Sequence, residues 1–129
     1  MSTITWYGHS AFKIQSGSSS VLIDPYFAPG IGMNWRDVGA VDLVLITHDH
    51  SDHVGDAIEI CKNCGAMLGA IVGTAQVMMA KGLPQQQIIN GIGFNIGGTI
   101  QYRGMNVTMT QAVHSSDSGM PAGYIIRMP

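Results

Sequence analysis

The sequence predicts an α/β protein, of the α+β kind, with one mixed β-sheet carrying its helices on one face. Two observations carry this. The chain runs through short β-rich segments, then a strand–helix–strand–helix stretch, then β-rich segments again, with no internal repeat or linker. Its apolar runs are short and rich in Val, Ile and Leu, which suits buried strands and falls well short of a membrane span. A length of 129 residues implies a single domain over residues 1–129.

Ile4-Thr5-Trp6-Tyr7 and Ala11-Phe12-Lys13-Ile14-Gln15 read as two strands joined by Gly8-His9-Ser10. His9 either caps that turn or points toward a histidine-rich loop further on; one His beside a Gly favours the turn. Ser16 to Ser20 forms a hairpin loop into a third, wholly apolar strand, Val21-Leu22-Ile23. Asp24-Pro25 ends it, because proline cannot continue a ladder. Residues 29–40 carry Gly30, Gly32, Met33, Trp35 and Gly39 without periodicity. They read as a connector whose aromatic packs on the body, or as a loop covering a substrate; the connector is the commoner case.

Val41 to Ile46 is the next strand, and residues 56–64 a helix with Ala57, Ile58, Cys61 and Cys64 at helical spacing, closed by Gly65. Ala66 to Val72 reads as a buried strand, and Thr74 as the cap of a second helix, Ala75 to Lys81, closed by Gly82. Met78 and Met79 are core residues rather than ligands, since thioethers suit soft metals. Short strands follow at Ile88-Ile89, Phe94 to Ile96, Thr99 to Tyr102 and Met105 to Thr110, split by glycines, and Gly123 to Arg127 closes the chain. Met105, Val107 and Met109 share one face.

The chemistry gathers in Thr47-His48-Asp49-His50-Ser51-Asp52-His53, directly after the strand at Val41–Ile46. A loop leaving a buried strand aims several imidazoles and carboxylates at one point, and these donors suit zinc, manganese or iron. Read as a merely solvated loop, the same density of groups would waste solvation.

His48, His50, Asp52 and His53 fill every position of an H-x-H-x-D-H signature, so the stretch resembles the metallo-β-lactamase superfamily. Trp6-Tyr7-Gly8-His9-Ser10-Ala11-Phe12 and Leu22-Ile23-Asp24-Pro25-Tyr26-Phe27 resemble one branch of it. That branch is the metal-dependent hydrolases related to ascorbate-6-phosphate lactonase and N-acyl-phosphatidylethanolamine phospholipase D. The resemblance covers nearly the whole chain, which corresponds to the N-terminal half of such proteins and of their αββα sandwich. It implies that His48, His50 and His114 hold one cation and that Asp52 and His53 contribute to a second. Three histidines with an open position make a catalytic rather than a structural zinc pattern. Asp52 then orients the attacking water, accepts its proton, or binds the second cation. Asp24 is either a group beside the metal loop that fixes a histidine tautomer or simply the start of a turn. The family's bridging aspartate and last histidine fall beyond residue 129, and neither Asp49 nor Asp117 replaces them. The function implied is metal-dependent hydrolysis of an ester, lactone or phosphodiester. The alternatives are a metal-binding or interaction module without turnover, and a half-chain that assembles into a dimer.

Composition bounds the rest. A net charge of −2 without a Lys/Arg cluster argues against nucleic acid or a membrane as partner and leaves a small-molecule substrate. The first ten residues lack a signal-peptide pattern and the two cysteines suit a reducing compartment, so a cytoplasmic location is expected. Cys61 and Cys64 read as inert thiols. Charged residues make up only 11% of the chain, against about 25% in ordinary domains. Such a deficit in a small domain implies surface not meant for water: an exposed sheet face covered by a homodimer partner or another chain.

Overall fold

The computed structural model describes residues 1–129 and resolves two sheets where the sequence implied one. The first runs β1 (Ser2–Trp6), β2 (Phe12–Ser16), β3 (Ser19–Ile23), β4 (Leu43–Leu45) and β5 (Met67–Gly69) in spatial order. Its first three strands pair antiparallel and the last two join in parallel, so the sheet is mixed as expected. The second sheet, β6 (Thr99–Tyr102), β7 (Met105–Gln111) and β8 (Ala122–Arg127), is antiparallel throughout. Three helices intervene: the single turn α1 (Ser51–Val54), α2 (Ala57–Cys64) and α3 (Val72–Ala80).

Pleat alternation explains the layering. Along β4, Val44 points into one core with Leu22, Leu68, Ala57, Ile60, Cys61 and Met78, so α2 and α3 share one face of the first sheet. Leu43 and Leu45 point the other way, into a second core with Val21, Ile100, Met105, Val107 and Met109. All three β4 residues are fully buried because both faces are covered. Met105, Val107 and Met109 do share a buried face. Their strand joins a separate sheet because its ladder partners are β6 and β8, while the β5 edge receives only an isolated bridge from Ile88 to Leu68, with a second from Phe94 to Ile71 just beyond it.

Several local expectations shift. The strand drawn over Ala66–Val72 shortens to three residues, and α3 starts at Val72 with Ile71 as its N-cap. Thr74 is therefore inside the helix, where its hydroxyl reaches the Ser118 carbonyl at 3.2 Å instead of capping. Ile88-Ile89 and Phe94–Ile96 form bridges and a tight turn rather than strands. Met33 and Trp35 pack on the helix-side core, as a connector would. No helix is long and apolar enough to cross a membrane.

The second sheet packs on the inner face of the first across the second core. The outer face of the second sheet is mostly polar, with Thr99 and Thr108 paired through their hydroxyls at 2.7 Å and Ile125 exposed beside them. What stays open is the β1–β2 end of the inner face. Ile14 and Ile23 pack against the second core, whereas Ile4 and Trp6 are 66% and 64% exposed.

Candidate metal centre

All five histidines of the chain converge beyond the C-terminal ends of β4 and β7. His48 follows Leu45 by three residues and His114 follows Gln111 by three, so two neighbouring strand ends project them alike. Ring centroids lie 4.1 Å apart for His48–His53, 4.3 Å for His48–His114, 4.6 Å for His48–His50 and 5.3 Å for His9–His53. The donor atoms of His48, His50 and His114 fall within 4.8 Å of one another, and so do those of His9, Asp52 and His53.

Asp24 organises the interior of the site. It is 2% exposed, and its backbone sits in the left-handed region at φ 45°, which Asp tolerates better than most residues. Its Oδ1 accepts the Thr47 backbone N–H at 2.8 Å. Its Oδ2 accepts the Thr47 hydroxyl at 2.6 Å and the His53 Nδ1–H at 2.8 Å. With its one proton given to Asp24, the Thr47 oxygen accepts the His48 Nδ1–H at 2.9 Å. His114 gives its Nδ1–H to the Ser115 carbonyl at 2.8 Å. One logic runs through all three rings: Nδ1 carries the proton, and Nε2 is left as a lone pair. Asp24 thus orders the histidine loop rather than merely beginning a turn. A cluster of Asp24, His48 and His53 is also close enough to hold a cation, but both Asp24 oxygens are already committed.

The fit to a cation rests on one atom. His48 Nε2 is the single buried side-chain nitrogen or oxygen in the chain without a hydrogen-bond partner. A buried imidazole nitrogen left unpaired is costly, and a bound cation among three imidazoles satisfies it. Burial holds the His48 pKa below its ordinary value, reinforced by the neighbouring His53 and His114, so the ring is kept neutral as a ligand must be.

Asp49 has a task the local pattern does not show. Its Oδ1 accepts the Ser116 hydroxyl at 3.1 Å and the Asp117 backbone N–H at 3.0 Å, tying the His48–His53 loop to the loop behind His114. Desolvation pushes the carboxyl up, but hydrogen bonding from Ser118, Asp117 and Ser116 outweighs it and holds the carboxyl below its usual range. Asp117 contributes only its backbone there. From the other side, the Tyr124 hydroxyl donates to the Ile46 carbonyl at 2.6 Å and the Ala122 N–H to the Thr47 carbonyl at 2.9 Å, docking β8 against the loop. Gly55 lets α1 sit down: a Cβ there would lie 2.3 Å from the Pro25 carbonyl oxygen. The cleft in front of His48, His53 and His114 is walled by Ser10, Ile23, Val113 and Pro121.

The sequence placed His48, His50, Asp52, His53 and His114 in one site, and the structure brings them together. His9, read as a turn residue, does make the turn at φ 47°, yet its Nε2 also reaches Asp52 Oδ2 at 3.2 Å. Thr47 and Ser116 give no signal in the sequence because their partners are distant in the chain or are backbone groups, and Asp49, which the sequence offers only as a poor bridging acid, finds its partners 67 and 68 positions away. Cys61 and Cys64 take no part. Both thiols are free, and burial, with Cys64 adding to it, pushes the Cys61 thiol up to about 12.

A helix–sheet–sheet arrangement with this histidine cluster at the strand ends defines the metallo-β-lactamase class of fold. Over 99% of its length the chain superposes on MEM-A1, a subclass B3 metallo-β-lactamase from a soil metagenome library, with a TM-score of 0.68 at 22% identity; it spans 54% of that chain. It superposes over 98% of its length on Igni18, a metallo hydrolase from Ignicoccus hospitalis, with a TM-score of 0.85 at 36% identity, spanning 56% of that chain. Residues 3–126 match the family described as the β-lactamase superfamily domain, and the chain belongs to that family. It is 58% identical over 129 residues to a UPF0173 metal-dependent hydrolase of Lawsonia intracellularis, covering 98% of this chain and 56% of the relative. The chain thus spans little more than half the length of the relatives it matches.

Proposed function

We propose that this chain carries the cation-binding part of a metal-dependent hydrolase that attacks an ester, lactone or phosphodiester with water. The supporting observation is the unpartnered, buried Nε2 of His48 among imidazoles whose proton positions are fixed by Asp24, Thr47 and Ser115. His48, His50 and His114 hold the first cation, which the donor set suits to zinc, manganese or iron. Bound there, a divalent cation supplies Lewis acidity, bringing the pKa of water toward neutrality and polarising a carbonyl or phosphoryl oxygen. Asp52 Oδ1 lies 3.9 Å from His53 Nε2, where it orients the water and takes its proton as the oxygen attacks and the leaving group departs with the bonding pair. Asp24 keeps His53 in the tautomer that points Nε2 into the site. Ile23, Val113 and Pro121 offer the substrate an apolar wall.

A metal-binding module without turnover is the second reading. What favours it is exposure: the side chains of His9 and Asp52 are 41% and 50% exposed, so these residues alone do not exclude water from the site. One experiment separates the readings. Elemental analysis of the wild type and of His48→Ala/His50→Ala is combined with assays on lactone, ester and phosphodiester panels. The hydrolase reading expects stoichiometric metal and metal-dependent turnover, both lost in the double variant. Metal without turnover supports the module, and stoichiometric metal retained in the double variant overturns the ligand assignment.

A further inference from the structure

We propose that His9 is a metal ligand, making with Asp52 and His53 a second divalent-cation site on this chain beside the His48/His50/His114 group. The inference rests on the reading that these strand ends bind divalent cations, and it adds a residue from the opposite end of the sequence.

The distances fit coordination. Donors each about 2.0–2.2 Å from a tetrahedral cation stand roughly 3.3–3.6 Å from one another. His9 Nε2 and Asp52 Oδ2 are 3.2 Å apart, close to one edge of that polyhedron, and His53 Nε2 lies 3.9 Å from Asp52 Oδ1. All three residues offer donor atoms within 4.8 Å of one another. His53 is also in the required tautomer. Because His53 gives its Nδ1–H to Asp24, its Nε2 has a free lone pair. Two imidazoles and a carboxylate form a set that takes zinc, manganese or iron.

The chain also goes out of its way to hold this imidazole. His9 occupies the left-handed region at φ 47°, directly after Gly8 at φ 87°. Histidine, with Asn and Asp, is among the non-glycine residues enriched in that region, so the turn and the placement of the ring are compatible. The Trp6 indole N–H donates to the His9 carbonyl at 3.1 Å, and the ring stands edge-on to Tyr26 with centroids 5.5 Å apart. These contacts fix the turn and aim the ring at Asp52.

The rival account is a hydrogen bond from His9 to Asp52 and nothing more. Chelator-stripped protein titrated with Co(II) separates the two. Bound metal is counted by elemental analysis after desalting, and the visible absorption of Co(II) follows each equivalent. The expected result is two equivalents for the wild type and one for His9→Gln, whose amide N–H still reaches toward Asp52 but which supplies no imidazole. His9→Asn, which suits the left-handed backbone, is expected to hold one equivalent as well, guarding against a folding defect in either variant. Two equivalents in both variants would reduce His9 to a hydrogen-bond partner, and one equivalent in the wild type would remove the second site. In either of those cases the first site stands. No bound metal in the wild type would overturn the functional reading itself.

Discussion

Replacing Asp24 with Asn tests the organisation of the whole site with the smallest change in shape. Asn accepts the left-handed backbone at φ 45° as readily as Asp, so the substitution adds no backbone strain. It changes only what two atoms do. Asp24 accepts three donors, two of them at Oδ2. An amide has one oxygen, so one side must become NH2. With the NH2 at the Oδ1 position, two N–H groups confront each other at Thr47. With the NH2 at the Oδ2 position, His53 must move its proton to Nε2 and loses its outward lone pair. An unpaired buried donor costs about 1–3 kcal/mol, and each of the other bonds loses roughly 1 kcal/mol of charge assistance. The sum is about 3–5 kcal/mol, which at this chain length lowers Tm by roughly 10–20 °C. Groups that orient metal-bound histidines change affinity by about 10–100-fold, so metal affinity is expected to fall by that much. Circular-dichroism melting of the metal-free protein and a zinc titration monitored against a chelating dye measure both. A Tm within about 2 °C of wild type together with unchanged affinity would show that Asp24 does not set the histidine tautomers.

Three further outcomes follow from other parts of the structure. Gly55→Ala forces a Cβ to within 2.3 Å of the Pro25 oxygen at a positive φ and is expected to cost about 2–4 kcal/mol, read as a drop in the urea midpoint; a midpoint unchanged from wild type would mean the Pro25 loop yields freely. Because burial holds the Cys61 thiol near 12 while Cys64 is exposed, iodoacetamide at pH 8 is expected to add one label to the native chain, at Cys64, and two after denaturation; rapid double labelling of folded protein would contradict the burial of Cys61. Exposed Ile4, Trp6 and Phe12 lie on one face of the β1 edge, a surface suited to a second copy through a two-fold axis, so light scattering at micromolar concentration is expected to give about twice 13.7 kDa and Trp6→Ser to lower it; a mass near 13.7 kDa for the wild type excludes the dimer.

The metal loop was legible because its information is local: donors at fixed spacing follow directly on an apolar run, and any strand there delivers them together. His114 was legible only through family resemblance, since nothing in Ala112-Val113-His114 distinguishes a ligand from a loop histidine. The second sheet escaped because alternation reports which residues face a core and not which core. Met105, Val107 and Met109 alternate as they would in either sheet, and only the ladder to β8 decides. The same limit explains the helix start. Thr74 has the residue type of a cap, but β5 passes into α3 within the core, and the hydroxyl goes 44 positions along the chain to Ser118. His9 shows the limit most sharply. Gly8-His9-Ser10 was read as a turn, and it is one; the same left-handed geometry also turns the ring onto Asp52. Making the turn and facing Asp52 are not exclusive for His9, because the backbone conformation that closes the turn also sets the direction of the ring.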